Sequence, residues 1–456
     1  MKTTMKLRNP AILHNDPLLR RVWEQLGHPS GCCVTGGYVR DQLLGRPSND
    51  LDLTIESSAE RAGEPARRLA GALGVRAHLF GSAPHRIWRI ETPALKIELW
   101  PLGGMAADED IHRRDFGCNA LSWKLPDGPL VDLVGGMEDL DRSRLRAISR
   151  ANLESDPVRL LRAPRFLAQI PEFALDDQTR SWIEELSPSL AGAPRERVGQ
   201  ELLTLLRGPM TSLGLAQCLD LGLFFPAAPE STSIDERWLR TNLDAADALS
   251  IRGIEGGTPA PQQSDDRCGG EVPPGPQHAE RHCGAGVPPA RGRSGIGGDA
   301  ARLAFLFRSW GLPADRELAP YAWPKAVREL ALRAARLLDQ APTTVDAPPA
   351  DRRELAWRAG AAFPTLIAVA DALEPERAGW RRWWRQWRRD PAAFEDPHPL
   401  LTGREIAEIS GILPGPELGE AVRGLLRAQV RGEIRSRGGA KRWLARNSGA
   451  SLSQLR

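Results

Sequence analysis

Asp50 and Asp52 stand i, i+2 in "NDLDLTI", and a glycine pair, Gly36-Gly37, precedes them across "YVRDQLLGRPS". Side chains at i and i+2 of a strand share a face, so both carboxylates project together while Leu51 and Leu53 turn toward a core. Like charges side by side on a strand repel unless something neutralises them. A hard divalent cation does so, and Mg²⁺ favours a few carboxylates completed by phosphate oxygens. Glycines facing that strand let backbone N–H groups approach a phosphate closely. An isolated Asp-x-Asp is most often a solvated strand edge; the glycine pair, the intervening helical stretch and the carboxylates together carry the reading. A further carboxylate, Glu98, sits in "LKIELW" on the side of Lys96 and Trp100, opposite Leu95, Ile97 and Leu99. It is a third ligand for the metal pair or an exposed strand glutamate.

The elements that position these groups follow from pattern. "CCVT" before the glycine pair reads as a strand, "YVRDQLLG" as a helix stopping at Gly45, and "DLDLTI" as a second strand. "PLLRRVWEQLG" is an amphipathic helix ending at Gly27. Further strands are expected in "VRAHLF", "HRIWRIET", "ALKIELW", "ALSWKL" and "LVDLV", which makes residues 31 to about 140 mixed α/β. Beyond about 141 the pattern turns helical. Residues 252–299 are rich in Gly and Pro and cannot bury enough apolar area to offset their ordering entropy, so they read as a disordered insertion. Cys268, His278, His282 and Cys283 lie inside it at a spacing that fits no regular zinc motif. In "GWRRWWRQWRRD", Trp380, Trp383, Trp384 and Trp387 fall on one helical face, read as a core face with a solvated basic back.

The chain has 456 residues, a net charge of +3 and 41% hydrophobic residues, enough for several domains. No apolar run approaches membrane-spanning length and the N-terminal stretch lacks a signal-peptide core, so a cytoplasmic location is expected, with no membrane partner. The six cysteines form no CxxC pair and read as free thiols. The mild net charge does not by itself argue for nucleic acid.

"GGYVRDQLLGR…DLDLT" resembles the signature of the DNA polymerase β-like nucleotidyltransferases, and in its full form that of the class II tRNA nucleotidyltransferase and bacterial poly(A) polymerase family. The resemblance implies an α+β fold: a polymerase β-like head with a mixed sheet and helices (1–140), followed by an all-α neck (141–224), body (225–375) and tail (376–456). It implies that Gly36, Gly37 and Arg40 cradle a triphosphate. "RRDFGCNAL" resembles the family's RRDFTINAL, so Arg114, Asp115 and Asn119 are expected at the ribose; Gly117 and Cys118 replace Thr and Ile. "DLVGGMEDL" resembles the motif joining head to neck. "SDPVRLLRAPRF" resembles E-D-x-x-R followed by L-L-R-A-x-R-F, with Ser155 in place of Glu and Pro164 predicting a kink.

Read as i, i+3 on a helix, Asp156 and Arg159 face one point. The carboxylate accepts from an exocyclic amine, and the guanidinium donates to a ring nitrogen or carbonyl. Cytosine and adenine match that pair, whereas guanine and uracil present the reverse pattern. Arg162 and Arg165 are expected to reach triphosphate or RNA backbone. "RERVGQEL" resembles the neck helix, where Glu196 and Arg197 would brace the base-reading helix. In some relatives the body carries a phosphohydrolase segment like "LLHDIGKP"; "FLFRSWGLP" here has Arg308 and Ser309 in place of the metal-binding His and Asp, implying no such activity.

The function implied is template-independent addition of C and/or A to a tRNA 3′ end from CTP and ATP, with Asp50, Asp52 and Glu98 as the catalytic set and two Mg²⁺ ions as cofactor. No obligate protein partner is implied. The stretch between Glu98 and Arg113 is short compared with relatives that add all three nucleotides, and a flexible element there is tied to the C-to-A switch, so partial CCA addition is an open alternative. The rivals are a poly(A) polymerase acting on other RNA 3′ ends, and an RNA-binding protein on a decayed head.

Overall fold

The computed structural model describes residues 7–81, 86–230, 232–251, 296–377, 379–389 and 399–447. These form two compact units. The first takes in the chain up to Ala193 together with Gln217–Pro226; the second starts at Pro194 and holds the remaining helices. The division therefore falls inside the stretch 141–224.

The first unit is built on a seven-stranded mixed sheet in the order β3-β4-β5-β2-β1-β6-β7. Its strands are β1 (Cys32–Thr35), β2 (Asp50–Ile55), β3 (Ala77–Phe80), β4 (Ile87–Glu91), β5 (Lys96–Pro101), β6 (Ser122–Lys124) and β7 (Leu130–Val131). Every neighbouring pair is antiparallel except β2 and β5. Each expected strand is present: β1 and β2 match their expected runs, β5 extends to Pro101, and the others are shorter at one or both ends. Leu51, Leu53, Ile97 and Leu99 are all buried while Trp100 is exposed, as the alternation requires.

The first unit also holds the helices α1 (Pro17–Leu26), α2 (Gly37–Leu43), α3 (Gly63–Ala72), α4 (Ala107–His112), α5 (Gly136–Asp141), α6 (Arg150–Ser155), α7 (Val158–Gln169) and α8 (Asp177–Leu186). Asp16 caps α1 by accepting from the Leu18 and Leu19 N–H groups, and Gly27 ends it in the left-handed conformation at φ 81°. Asp16 also accepts from the Tyr38 hydroxyl at 2.6 Å, which ties the start of α1 to α2.

The second unit is all-helical among the described residues. Its main elements are α9 (Arg195–Leu206), α10 (Ile296–Ser309), α11 (Lys325–Leu338), α12 (Pro349–Ala359), α13 (Phe363–Leu373), α14 (Gly379–Arg389), α15 (Gly403–Ser410), α16 (Pro416–Arg431) and α17 (Arg437–Asn447). Glu196 and Arg197 stand in the first turn of α9. On α14 Trp380 and Trp383 are buried and Trp383 meets Phe363 edge-on at 4.9 Å, while Arg382 and Arg385 are exposed; the aromatic stripe is a core face. The last three helices share an apolar cluster of their own around Leu401, Ile406, Leu425 and Leu444. Arg308 pairs with Asp339 at 2.9 Å and lies over Trp238, and the buried Ser309 donates to the Leu306 carbonyl, so both serve packing.

The expected insertion and its cysteine and histidine group lie outside the described residues, apart from its last positions. Those belong to α10, where the buried Asp299 pairs with Arg207 and Arg302. Cys32, Cys33, Cys118 and Cys218 are buried free thiols. Among the described residues no helix is long and apolar enough to cross a membrane.

Candidate active site

β2 lies between β1 and β5. Its register sets Asp52 opposite Thr35 on one side and Glu98 on the other. Gly36 follows Thr35 directly, with φ 72° and ψ −132°, a conformation that excludes side chains. A Cβ there would lie 3.1 Å from Arg114 Nη1 and 3.5 Å from Asp52 Oδ2. The glycine thus keeps bare backbone beside the Asp52 carboxylate. Asp50, one strand repeat away on the same face, is exposed, and Asp52 is half-buried. Burial, then the Glu98 carboxylate, push the Asp52 pKa up to about 6.

Glu98 neighbours Asp52, but its Oε1 is already shared by Arg89 Nη2 at 2.9 Å and Lys96 Nζ at 2.8 Å. Its effect on Asp52 is electrostatic. Among the described residues no three carboxylate, imidazole or thiolate groups gather tightly enough to hold a metal on their own. The hard oxygens of Asp50 and Asp52, on one face beside bare backbone, suit a divalent cation whose coordination phosphate and water complete.

Arg114 spans the other side of this face. It donates to Thr35 Oγ1 at 2.8 Å and the Asn119 carbonyl at 3.4 Å, and pairs with Asp110 at 2.8 Å. Arg40 and Asp115 are buried and depart from their expected places at a ligand surface, whereas the Arg162 side chain is 33% exposed. Arg40 is buried; it donates to Asp41 and to Asn119 Oδ1 and stacks over Phe166 at 5.2 Å. It braces the site from beneath because Asp41 and Asn119 draw the guanidinium inward. Asp115 is only 3% exposed, accepts from the Phe116 N–H and pairs with Arg162 at 2.9 Å. Burial opposes its ionisation, yet Arg162, the Phe116 N–H, Arg165 and Arg159 hold its pKa below the usual value. The Asp115–Arg162 pair therefore fastens α7 to the "RRD" segment. Phe116 meets Phe166 edge-on at 5.6 Å, and Arg165 lies over the same Phe166 ring at 4.7 Å.

Gly117 has a structural reason. A Cβ at that position would fall 2.2 Å from Asp139 Oδ2, and Asp139 is wholly buried between Arg144 and Arg146, each 2.8 Å away. A side chain at 117 would have to displace that carboxylate.

The Asp156–Arg159 pair forms, with one correction. Asp156 is not helical: it stands between α6 and α7 at φ −149°, ψ 91°. Pro157 forces this, since the residue before a proline is pushed from helical to extended backbone. Arg159, in the first turn of α7, still comes within 3.7 Å of Asp156 Oδ2, and both are partly exposed. α7 continues through Pro164, which is buried. Two residues that pattern reasoning missed also hold α7. Arg46 donates to the carbonyl of Gln169, the last residue of α7, at 2.9 Å. The Asn152 carbonyl accepts from Arg159 Nη1 at 2.9 Å. Arg46 was visible as a lone cation beside the aspartate strand; nothing local marks Asn152.

Residues 32–146 match the family described as Poly A polymerase head domain, and residues 172–234 match Probable RNA and SrmB-binding site of polymerase A. The chain is 30% identical to the CC-adding tRNA nucleotidyltransferase of Thermus thermophilus, covering 91% of this chain and 93% of that one. This chain belongs to the tRNA nucleotidyltransferase and poly(A) polymerase family. It is also 29% identical to the A-adding tRNA nucleotidyltransferase of Deinococcus radiodurans, covering 92% and 98% of the two chains. Its fold is similar to that of the Bacillus stearothermophilus CCA-adding enzyme in complex with CTP, with a TM-score of 0.64 at 22% identity over 98% of this chain and 100% of that one. As a member of this family the chain is a nucleotidyltransferase, and its seven-stranded head with a helical remainder is the architecture its motifs imply.

Proposed function

We propose that this protein adds cytidylate residues to the 3′ end of tRNA, building the CC of the terminal CCA without a nucleic-acid template. The observation that carries the reaction class is the Asp50 and Asp52 carboxylate pair beside the bare backbone of Gly36. Mg²⁺ held there would lower the pKa of the RNA 3′-hydroxyl and neutralise charge on the departing pyrophosphate. Gly36 and Gly37 leave room for the triphosphate, and Arg114 stands beside the same face to meet the ribose. Asp156 and Arg159 read the base edge: the carboxylate accepts from the cytosine amine, and the guanidinium donates to the ring nitrogen and carbonyl. Uracil and guanine would leave both groups mispaired.

The preference for C over A rests on the connection between β5 and α4, which is only Leu102–Ala106. In the family a flexible element there is tied to the switch from C to A, and so short a link leaves little chain to serve as one. The CC-adding activity printed for the Thermus thermophilus relative supports this reading. It implies work among cytoplasmic tRNAs. The test is extension of a tRNA transcript lacking CCA with labelled CTP. Wild type should add CMP, and Asp50→Ala and Asp52→Ala should each fall below about one-tenth of its turnover. Retained turnover in either variant would remove the carboxylate pair from the mechanism.

A further inference from the structure

Asn152 joins two parts of the site that lie far apart in sequence. Its side-chain amide donates to the His112 carbonyl and to the Arg114 carbonyl, each at 2.7 Å. Both partners are acceptors, so the NH₂ end must face them. These carbonyls flank the start of "RRD", whose Arg114 stands beside the carboxylate face. The same residue's backbone carbonyl accepts from Arg159 Nη1 at 2.9 Å and from the Ser155 hydroxyl at 3.0 Å. Its N–H donates to Ser149 Oγ, the cap of α6. Every polar group of Asn152 named here is engaged: the side chain on the sugar side, the carbonyl on the base-reading arginine.

We infer that Asn152 is a positioning residue for nucleotide selection: it fixes Arg159 relative to Arg114, so that base and ribose are read in one register. The inference rests on the proposed role of Arg159 as a base reader. Arg159 lies 3.7 Å from Asp156, so that carboxylate holds it only loosely. The Asn152 carbonyl, at 2.9 Å, is closer to Arg159 than the Asp156 carboxylate and fixes one end of the guanidinium fork. That carbonyl is itself held in place by the amide clamp on residues 112 and 114. Ser155 shares the Asn152 carbonyl, which gives the serine that replaces a family glutamate a role in the same arrangement.

The test is a double-mutant cycle on Asn152→Ala and Arg159→Ala, with Asn152→Asp as the second variant at the clamp. The readouts are kcat and KM for CTP, and the CTP-over-UTP ratio of kcat/KM, on a tRNA transcript lacking CCA. Asn152→Ala should lower the CTP-over-UTP ratio about tenfold, the scale of one or two hydrogen bonds. It should act mainly through KM for CTP and leave the melting temperature within a few degrees. Asn152→Asp, which sets a carboxylate against two carbonyl oxygens, should lower the ratio at least as far. In the Arg159→Ala background neither change should lower it further. If Asn152→Ala lowers the ratio equally in both backgrounds, or leaves it at the wild-type value while Arg159→Ala lowers it, the positioning role is overturned. If Arg159→Ala itself keeps the wild-type ratio, the base-reading assignment falls, and this inference falls with it.

Discussion

Asp52 carries an electrostatic cost that its proposed role in catalysis would explain, and Asp52→Asn should expose it. Burial and the adjacent Glu98 raise its pKa from 3.8 to about 6 in the folded protein. A pKa raised on folding means that the folded state resists ionisation. The neutral form therefore favours folding at low pH, and that advantage is lost as pH rises through 6. At about 1.4 kcal/mol per unit, the ionised carboxylate destabilises the fold by up to about 3 kcal/mol at pH 8. Because Asp52 is only half-buried, solvent screening brings the expected figure to about 1–3 kcal/mol. Asn is nearly isosteric and carries no charge. In EDTA at pH 8 the variant should melt roughly 3–10 °C higher than wild type, while nucleotide addition is lost. The gain should shrink as pH falls from 6 toward 4 and vanish only below the unfolded-state value of 3.8, where the wild-type carboxyl is protonated in both states. Mg²⁺ should raise the wild-type midpoint at pH 8 and leave that of Asp52→Asn nearly unmoved. The measurement is a pair of thermal melts across pH 4–8 with and without Mg²⁺. A variant no more stable than wild type at pH 8, or a gain independent of pH, would refute the reasoning.

Gly136→Ala should lower the melting temperature sharply, because the new methyl would sit 2.3 Å from the Gly117 carbonyl oxygen; overpacking of this kind costs about 1–3 kcal/mol or more, and an unchanged melt would show that the joint can open. Asp115→Ala would leave Arg162 facing a buried gap and should cost about 3–5 kcal/mol in urea unfolding; a loss under about 1 kcal/mol would mean that the pair does not hold α7. Trp383→Ala removes a buried ring packed on Phe363 and should destabilise the helical second unit by about 3–5 kcal/mol, read as an earlier unfolding transition.

The sheet and its carboxylate face were legible because they rest on local rules. Alternation placed Leu51 and Leu53 inside and Asp50 and Asp52 together outside, and the strand Lys96–Pro101 brought Glu98 beside them. Gly27 and Gly45 ended helices where backbone freedom was needed, at φ 81° and 70°. The direction of long charged side chains was not legible. Arg40 and Asp115 look like ligand groups in a motif, but each has a partner distant in sequence, Asn119 and Arg162, that draws it into the interior. Pattern gives a residue's face, not which of several opposite charges it will meet. The helical reading of Asp156 was avoidable, since Pro157 already dictates an extended residue before it. Gly117 was legible as a departure from the family but not as a close approach, because Asp139 comes from another motif.

The most direct measurement uses three transcripts of one tRNA, lacking its last one, two or three nucleotides, each incubated separately with labelled CTP, ATP, GTP or UTP. CTP should extend the transcripts lacking three and two nucleotides and stop at CC. ATP should not extend the transcript lacking only the final A, and GTP and UTP should extend none. Addition of A to that last transcript, runs of A on any of them, or equal use of all four nucleotides would contradict the account.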